Sequence, residues 1–150
     1  MTVDELLELL RRLGSVPSPE ADGLTELDHG LQCAYELSLA HPDDDALHVA
    51  GLVHDIGHRF GGDEAHVTAK RYLVAMDPAY ALSPVSVATL TDQGGALPLD
   101  EAHVFEASPW FTDTVALRRA DDAAKVAGRV VPRLDAWEAV VARVGLGARR

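Results

Sequence analysis

The chain has 150 residues, 47% hydrophobic and 25% charged, with a formal net charge of −11, the make-up of one globular domain with enough apolar side chain for a core. The excess of acid argues against nucleic acid and anionic membrane surfaces as partners, because both call for a basic face. No apolar run approaches the roughly 20 residues that span a bilayer, the acidic start Met1-Thr2-Val3-Asp4-Glu5 lacks a signal-peptide layout, and the single cysteine, Cys33, excludes an internal disulfide, so a cytoplasmic protein is expected.

The predicted elements are all helices. Thr2 to Glu5 reads as a capping box, opening an amphipathic helix with Leu6, Leu9, Leu10 and Leu13 on one side and Gly14 at its end. Pro17, Pro19 and Gly23 mark 15–23 as a loop. A second helix, about Thr25 to Ala40, carries His29 and is broken by His41-Pro42. Asp43, Asp44 and Asp45 suit the positive N-terminal end of a third. That helix runs to about Ile56 and carries the stretch Leu52-Val53-His54-Asp55-Ile56-Gly57-His58 at its end. After the Gly-rich stretch Arg59 to Gly62, Asp63 can cap a fourth helix holding His66, Lys70 and Arg71, stopped by Asp77-Pro78.

Ser83-Pro84 opens a short helix that ends by Gly94-Gly95. Another short helix covers about Asp100 to Glu106. Ser108-Pro109 repeats the cap signal ahead of a longer helix through Val126, with Arg118, Arg119, Asp121, Asp122 and Lys125, closed by Gly128. The last helix, about Leu134 to Val144, has Trp137, Val140, Val141 and Val144 as its apolar face, and the tail from Gly145 is expected to fray. With no alternating strand pattern, hairpin dipeptide or internal repeat, residues 1–150 read as one all-α domain, a bundle of seven or eight helices.

His54 and Asp55 sit side by side in an otherwise apolar run. Burying an imidazole and a carboxylate there costs several kcal/mol each unless something compensates. A metal ion does so, because both groups are good first-row metal ligands. Adjacent helical residues point about 100° apart, so both can hold one metal, or the carboxylate can bridge to a second. His29 and either Asp121 or Asp122 lie on other helices, the way bundle metal sites are assembled. Arg118, Asp121, Asp122 and Lys125 also stand at ordinary helix ion-pair spacings. Cys33 fits a small buried filler. His41 reads as a loop residue, and His48 and His103 as surface helix residues. The run Asp43-Asp44-Asp45 reads as a helix start without the spacing of a calcium loop.

The order His29, His54-Asp55, Asp121 resembles the HD superfamily of metal-dependent phosphohydrolases. Four further segments resemble the HD-domain di-iron oxygenases of phosphonate catabolism, in the same order. They are His66-Val67-Thr68-Ala69-Lys70-Arg71-Tyr72-Leu73, Leu82-Ser83-Pro84, Gln93-Gly94-Gly95 and Leu117-Arg118-Arg119-Ala120-Asp121-Asp122-Ala123-Ala124-Lys125. The match spans roughly residues 25 to 128, and myo-inositol oxygenase is a more distant relative with the same ligand order.

The resemblance implies an HD-like bundle in which His29, His54, Asp55 and Asp121 hold one iron, with Asp122 the alternative to Asp121. Asp55 would bridge to a second iron also bound by His66. Lys70 would meet a phosphonate or phosphate oxygen, and His58, Ser83, Ser86, Gln93 and Arg118 would complete the anion pocket. Asp55, Lys70 and His58 are then the expected catalytic residues. The iron pair would activate dioxygen to oxidise the carbon next to phosphorus, after which the carbon–phosphorus bond is cleaved.

The chain departs from that family in two places. Only Arg59 to Ala65 separate His58 from His66, where the family has a further helix with another histidine ligand, so Asp63, Glu64 or water would have to substitute. Residues 15–28 also lack the family's tyrosine. Two alternatives to an oxygenase therefore stand beside it. One is an HD phosphohydrolase using one or two divalent ions such as Mn, Mg or Zn to activate water. The other is a non-catalytic protein that keeps the anion pocket. Apolar helix faces would also permit a homodimer.

Overall fold

The structure, a computed structural model, describes residues 1–56 and 64–147, with 64–66 and 146 described by backbone alone. Among the described residues there are eight helices and no strand. They are α1 (Val3–Leu13), α2 (Glu26–Ala40), α3 (Asp45–Val53), α4 (Glu64–Met76), α5 (Pro84–Asp92), α6 (Leu99–Glu106), α7 (Phe111–Ala123) and α8 (Leu134–Gly147). The expected all-α class and helix number hold. No helix among the described residues is long and apolar enough to cross a membrane.

The chain forms two compact units, Met1–Phe60 with Arg119–Arg150, and Gly61–Arg118. In the first, three helix starts are fixed by side chains that satisfy otherwise open N–H groups. Thr2 and Glu5 form the expected capping box on α1. Thr25 and Asp28 form another on α2. Asp44 accepts from the Leu47 N–H at 2.9 Å to start α3. The acidic run 43–45 is thus a helix start, as its sequence suggests.

Leu7, Leu10 and Leu13 of α1 pack with Leu31 and Ala34 of α2, Leu52 of α3, and Leu134, Trp137 and Val141 of α8 into one core. Fully burying each large side chain contributes about 1.5–3 kcal/mol. Two glycines bring α2 and α3 unusually close. A Cβ on Gly30 would lie 2.6 Å from the Leu52 carbonyl oxygen, and one on Gly51 would lie 2.5 Å from Leu37 Cδ1 and 3.2 Å from the Ala34 nitrogen.

His48, which the sequence suggests is a surface residue, belongs instead to this interior. It is 4% exposed, and its ring meets Trp137 edge-on. Its Nε2–H donates to the His41 carbonyl at 2.7 Å, which supplies the polar partner that burial requires.

In the second unit, Ala69, Lys70, Leu73, Leu90, Leu97 and Ala102 are buried, and Tyr72, Phe105 and Phe111 meet edge-to-face. Ser83 caps α5, with Pro84 in its first turn, as expected. Arg71 donates from Nε to the Gly95 carbonyl at 2.9 Å, holding a turn whose positive φ angles at Gly94 and Gly95 (97° and 73°) suit glycine.

Four helix limits differ from their sequence signals, the simplest being the end of α8, which continues to Gly147 where a frayed tail from Gly145 is expected. α3 stops at Val53, and residues 54–56 tighten into a 3₁₀ turn. α7 starts at Phe111 rather than Pro109, because residues 108–110 form a turn in which the Phe111 N–H donates to the Ser108 carbonyl. It also ends at Ala123 rather than Val126. Beyond that point the backbone turns its polar groups to α2: the Ala124 carbonyl accepts from His29 and Val126 pairs with Gln32.

Candidate metal centre

Four predicted ligands meet inside the first unit. His29 comes from α2, His54 and Asp55 from the turn that ends α3, and Asp121 from the last turn of α7. His29 Nε2 lies 3.1 Å from Asp55 Oδ2 and 3.0 Å from Asp121 Oδ1. His54 Nε2 lies 3.1 Å from Asp55 Oδ1 and 3.3 Å from the same Asp121 Oδ1. The two rings stand edge-on with centroids 5.0 Å apart. Side-chain exposure is 0% for His29, 2% for His54 and 5% for Asp121, against 18% for Asp55. Solvent therefore reaches the cluster chiefly past Asp55.

The other ring nitrogens show why this arrangement suits a cation. His29 Nδ1–H donates to the Ala124 carbonyl at 2.8 Å, and His54 Nδ1–H donates to the Gly51 carbonyl at 2.7 Å. A carbonyl only accepts, so each Nδ1 carries a proton and each Nε2 is left facing the carboxylates, available to a proton or a metal ion. Backbone anchoring of this kind also orients histidine ligands of metals. Two lone-pair nitrogens facing two carboxylates repel unless a proton or a metal ion lies between them. The 3.0–3.3 Å separations match the edges of a polyhedron with metal–ligand bonds of about 2.0–2.2 Å. The residues present fit a metal: His29, His54 and Asp55 bring ligand atoms within 4.8 Å of one another, and Asp121 adds a fourth.

Without metal, the cluster takes up a proton. Burial acts most strongly on His29 and opposes its charge, but hydrogen bonds to Asp121 and Asp55, with the Ala124 carbonyl, outweigh it and push the pKa up to about 10. Cys33 is fully buried. Its thiol pKa is raised well above the ordinary value by burial and then by the nearby Asp121 and Asp55 charges. It is the buried filler that its sequence position suggests.

Between the two candidate aspartates, Asp121 faces the imidazoles, whereas Asp122 stands 30% exposed with Oδ1 3.8 Å from Lys125 Nζ. Lys125 Nζ also lies 3.3 Å from Asp121 Oδ2 and 2.9 Å from Glu20 Oε2. Gln32 clamps the chain behind Asp121, donating to the Val126 carbonyl at 2.7 Å and accepting from its N–H at 3.2 Å. The spacing of Gln32 from His29 puts both on neighbouring positions of one helix face, a signal that could have drawn attention to it. Glu20 gave none, because it lies in an irregular loop.

The predicted anion contacts that are described belong to the second unit. Lys70 is 6% exposed and donates from Nζ to Gln93 Oε1 at 3.3 Å. Ser83 Oγ donates to Ser86 Oγ at 3.1 Å and accepts from the Ser86 N–H. Arg118 Nε donates to the Tyr80 hydroxyl at 3.3 Å. His58 and the side chain of His66 lie outside the described residues, as do Asp63 and the side chain of Glu64.

No protein-family model matches the chain. Among curated proteins, it is 31% identical to a hydroxymethylphosphonate dioxygenase of Gimesia maris over 176 residues, covering 93% of this chain and 86% of the relative. Those 176 positions outnumber the 150 residues here, so the relative has segments that this chain lacks. A 1-hydroxy-2-(trimethylamino)ethylphosphonate dioxygenase (glycine-betaine-forming) of Leisingera caerulea is 40% identical over 74 residues, 48% of this chain and 37% of the relative. The inositol oxygenase of Homo sapiens is 40% identical over 57 residues, 38% of this chain and 20% of the relative.

Proposed function

The chain belongs to the family of hydroxymethylphosphonate dioxygenase, and from that premise we propose that it is an iron-dependent, HD-type oxygenase that cleaves the carbon–phosphorus bond of a small phosphonate. The observation that carries the reading is the buried cluster of two imidazoles and two carboxylates. The names of both phosphonate-acting relatives place a hydroxyl on the carbon that bears phosphorus, so a 1-hydroxyphosphonate is the proposed substrate class.

His29, His54, Asp55 and Asp121 are the proposed ligands of one iron. Held by nitrogen and oxygen donors, iron supplies redox chemistry with dioxygen. The backbone carbonyls of Ala124 and Gly51 keep both imidazoles in the tautomer that presents Nε2. The dry side of the cluster, made by His29, His54 and Asp121, excludes water, and the partly exposed Asp55 is the ligand nearest to an entering substrate. Asp55 and His66 are the proposed ligands of a second iron. Lys70, His58, Ser83, Ser86, Gln93 and Arg118 are proposed as phosphonate contacts, a buried ammonium being suited to a phosphonate oxygen. A cytoplasmic setting is proposed too, since the lone thiol is suited to a reducing compartment.

The test is anaerobic loading with ferrous iron, an iron count per chain, and then addition of hydroxymethylphosphonate in air. Oxidation of a 1-hydroxyphosphonate to a carboxylic acid and phosphate takes up dioxygen in an amount equal to the phosphate released. Matched oxygen uptake and phosphate release are expected. Phosphate release without oxygen uptake would point to a hydrolase, and neither, with iron bound, would overturn the reading for this substrate class.

A further inference from the structure

We propose that Lys125 is a positioning residue for the metal centre: its ammonium holds Asp121 as a one-oxygen ligand, and Glu20 holds Lys125 in place. The inference rests on the reading that the cluster binds metal.

Asp121 divides its two oxygens between different partners. Oδ1 lies 3.0 and 3.3 Å from the histidine nitrogens, while Oδ2 lies 3.3 Å from Lys125 Nζ. With Oδ2 engaged by the ammonium, Oδ1 is the oxygen that lies within 3.3 Å of both imidazoles. Lys125 lies beyond the end of α7 at Ala123, so the helix backbone does not fix its side chain. Besides Asp122 Oδ1 at 3.8 Å, its ammonium meets Glu20 Oε2 at 2.9 Å, a partner far off in sequence.

Glu20 is itself placed by the loop that carries it. Its N–H donates to Ser18 Oγ at 3.2 Å. Ser18 is 8% exposed, and its N–H donates to the Leu24 carbonyl at 2.8 Å. Pro17 forms a bridge with Thr25, the cap of α2. The chain Ser18–Glu20–Lys125–Asp121 therefore runs from the start of the helix that carries one ligand, His29, to a second ligand. An exposed pair at this spacing on a helix contributes only a few tenths of a kcal/mol. Here Asp121 is 5% exposed, and altering a partner that orients a metal ligand typically weakens metal binding about 10–100-fold.

The experiment is anaerobic titration of metal-free protein with ferrous iron, with circular dichroism as the check on folding. Lys125→Met should weaken iron binding about tenfold or more with helix content unchanged. Lys125→Arg, which keeps a cation at the carboxylates, should recover most of the affinity. Glu20→Gln should weaken binding by a smaller factor. Wild-type affinity in Lys125→Met would overturn the proposal alone. Should that variant fail to fold, unchanged affinity in Glu20→Gln would overturn it. A wild-type protein that binds no iron would overturn both this proposal and the metal-dependent function.

Discussion

At His29 a buried imidazole and two carboxylates set opposite demands. Burial opposes the charged form, but Asp121 and Asp55 favour it more, and in the metal-free protein the pKa stands at about 10, above the ordinary 6.5. The folded state therefore holds this proton more tightly than the unfolded chain. Its contribution to stability is complete below about pH 6.5 and is lost as pH rises toward 10. Metal-free protein should resist urea better at pH 6 than at pH 9.5. Asp121→Asn, which removes the contact that raises the pKa most, should flatten that dependence.

Gln32 makes a different prediction. Gln32→Met keeps the volume but removes both bonds to Val126, and a loss of about 2 kcal/mol is expected from urea midpoints. That His29, His54, Asp55 and Asp121 would cluster was legible in the sequence, because imidazole and carboxylate in apolar helices need a shared partner. Gln32 offered only its helical spacing from His29, and Glu20 offered nothing. A glutamine is neutral to helix formation, and a glutamate in a Pro- and Gly-rich loop looks solvated until the fold brings Lys125 to it.

Between elements, the seam of α2 and α3 sets the distance across which His29 faces His54. Its tight point at Gly30 is against backbone, the Leu52 carbonyl, so a methyl group cannot be absorbed by a rotamer change. Gly30→Ala should cost about 1–3 kcal/mol in thermal or urea unfolding. It should also weaken iron binding, because His29 sits on one of the helices forced apart and His54 in the turn that ends the other. Gly147→Ala, which meets nothing within 4 Å among the described residues, is the control and should change neither. Helix starts with a Ser, Thr or Asp cap were readable from sequence at α1, α2, α3 and α5. The limits of α7 were not, because a local turn delays its start, and tertiary bonds from His29 and Gln32 draw away the backbone groups that would have prolonged it.

At the scale of the molecule, the first unit is built from two separate stretches of chain. Besides the shared core, ion pairs join them: Arg11 with Glu138 at 2.6 Å, Arg143 with Asp45 at 2.9 Å, and Arg129 with Glu36. The buried cluster joins them again, through His29, His54 and Asp55 on one side and Asp121 on the other. A ligand bound only by the folded state raises the melting temperature. Iron-loaded protein should therefore melt lower after chelation, by several degrees in calorimetry, and the double variant His54→Ala with Asp55→Ala should not respond to the chelator.

That division also sets a timetable. His54 and Asp121 are 67 residues apart, so a growing polypeptide contains three of the proposed ligands before translation delivers the fourth. Until then His29, His54 and Asp55 lack both Asp121 and the α8 side chains that complete the core around them. Iron taken up at that stage would be easily surrendered, and durable capture belongs to the moment when the returning stretch of chain docks.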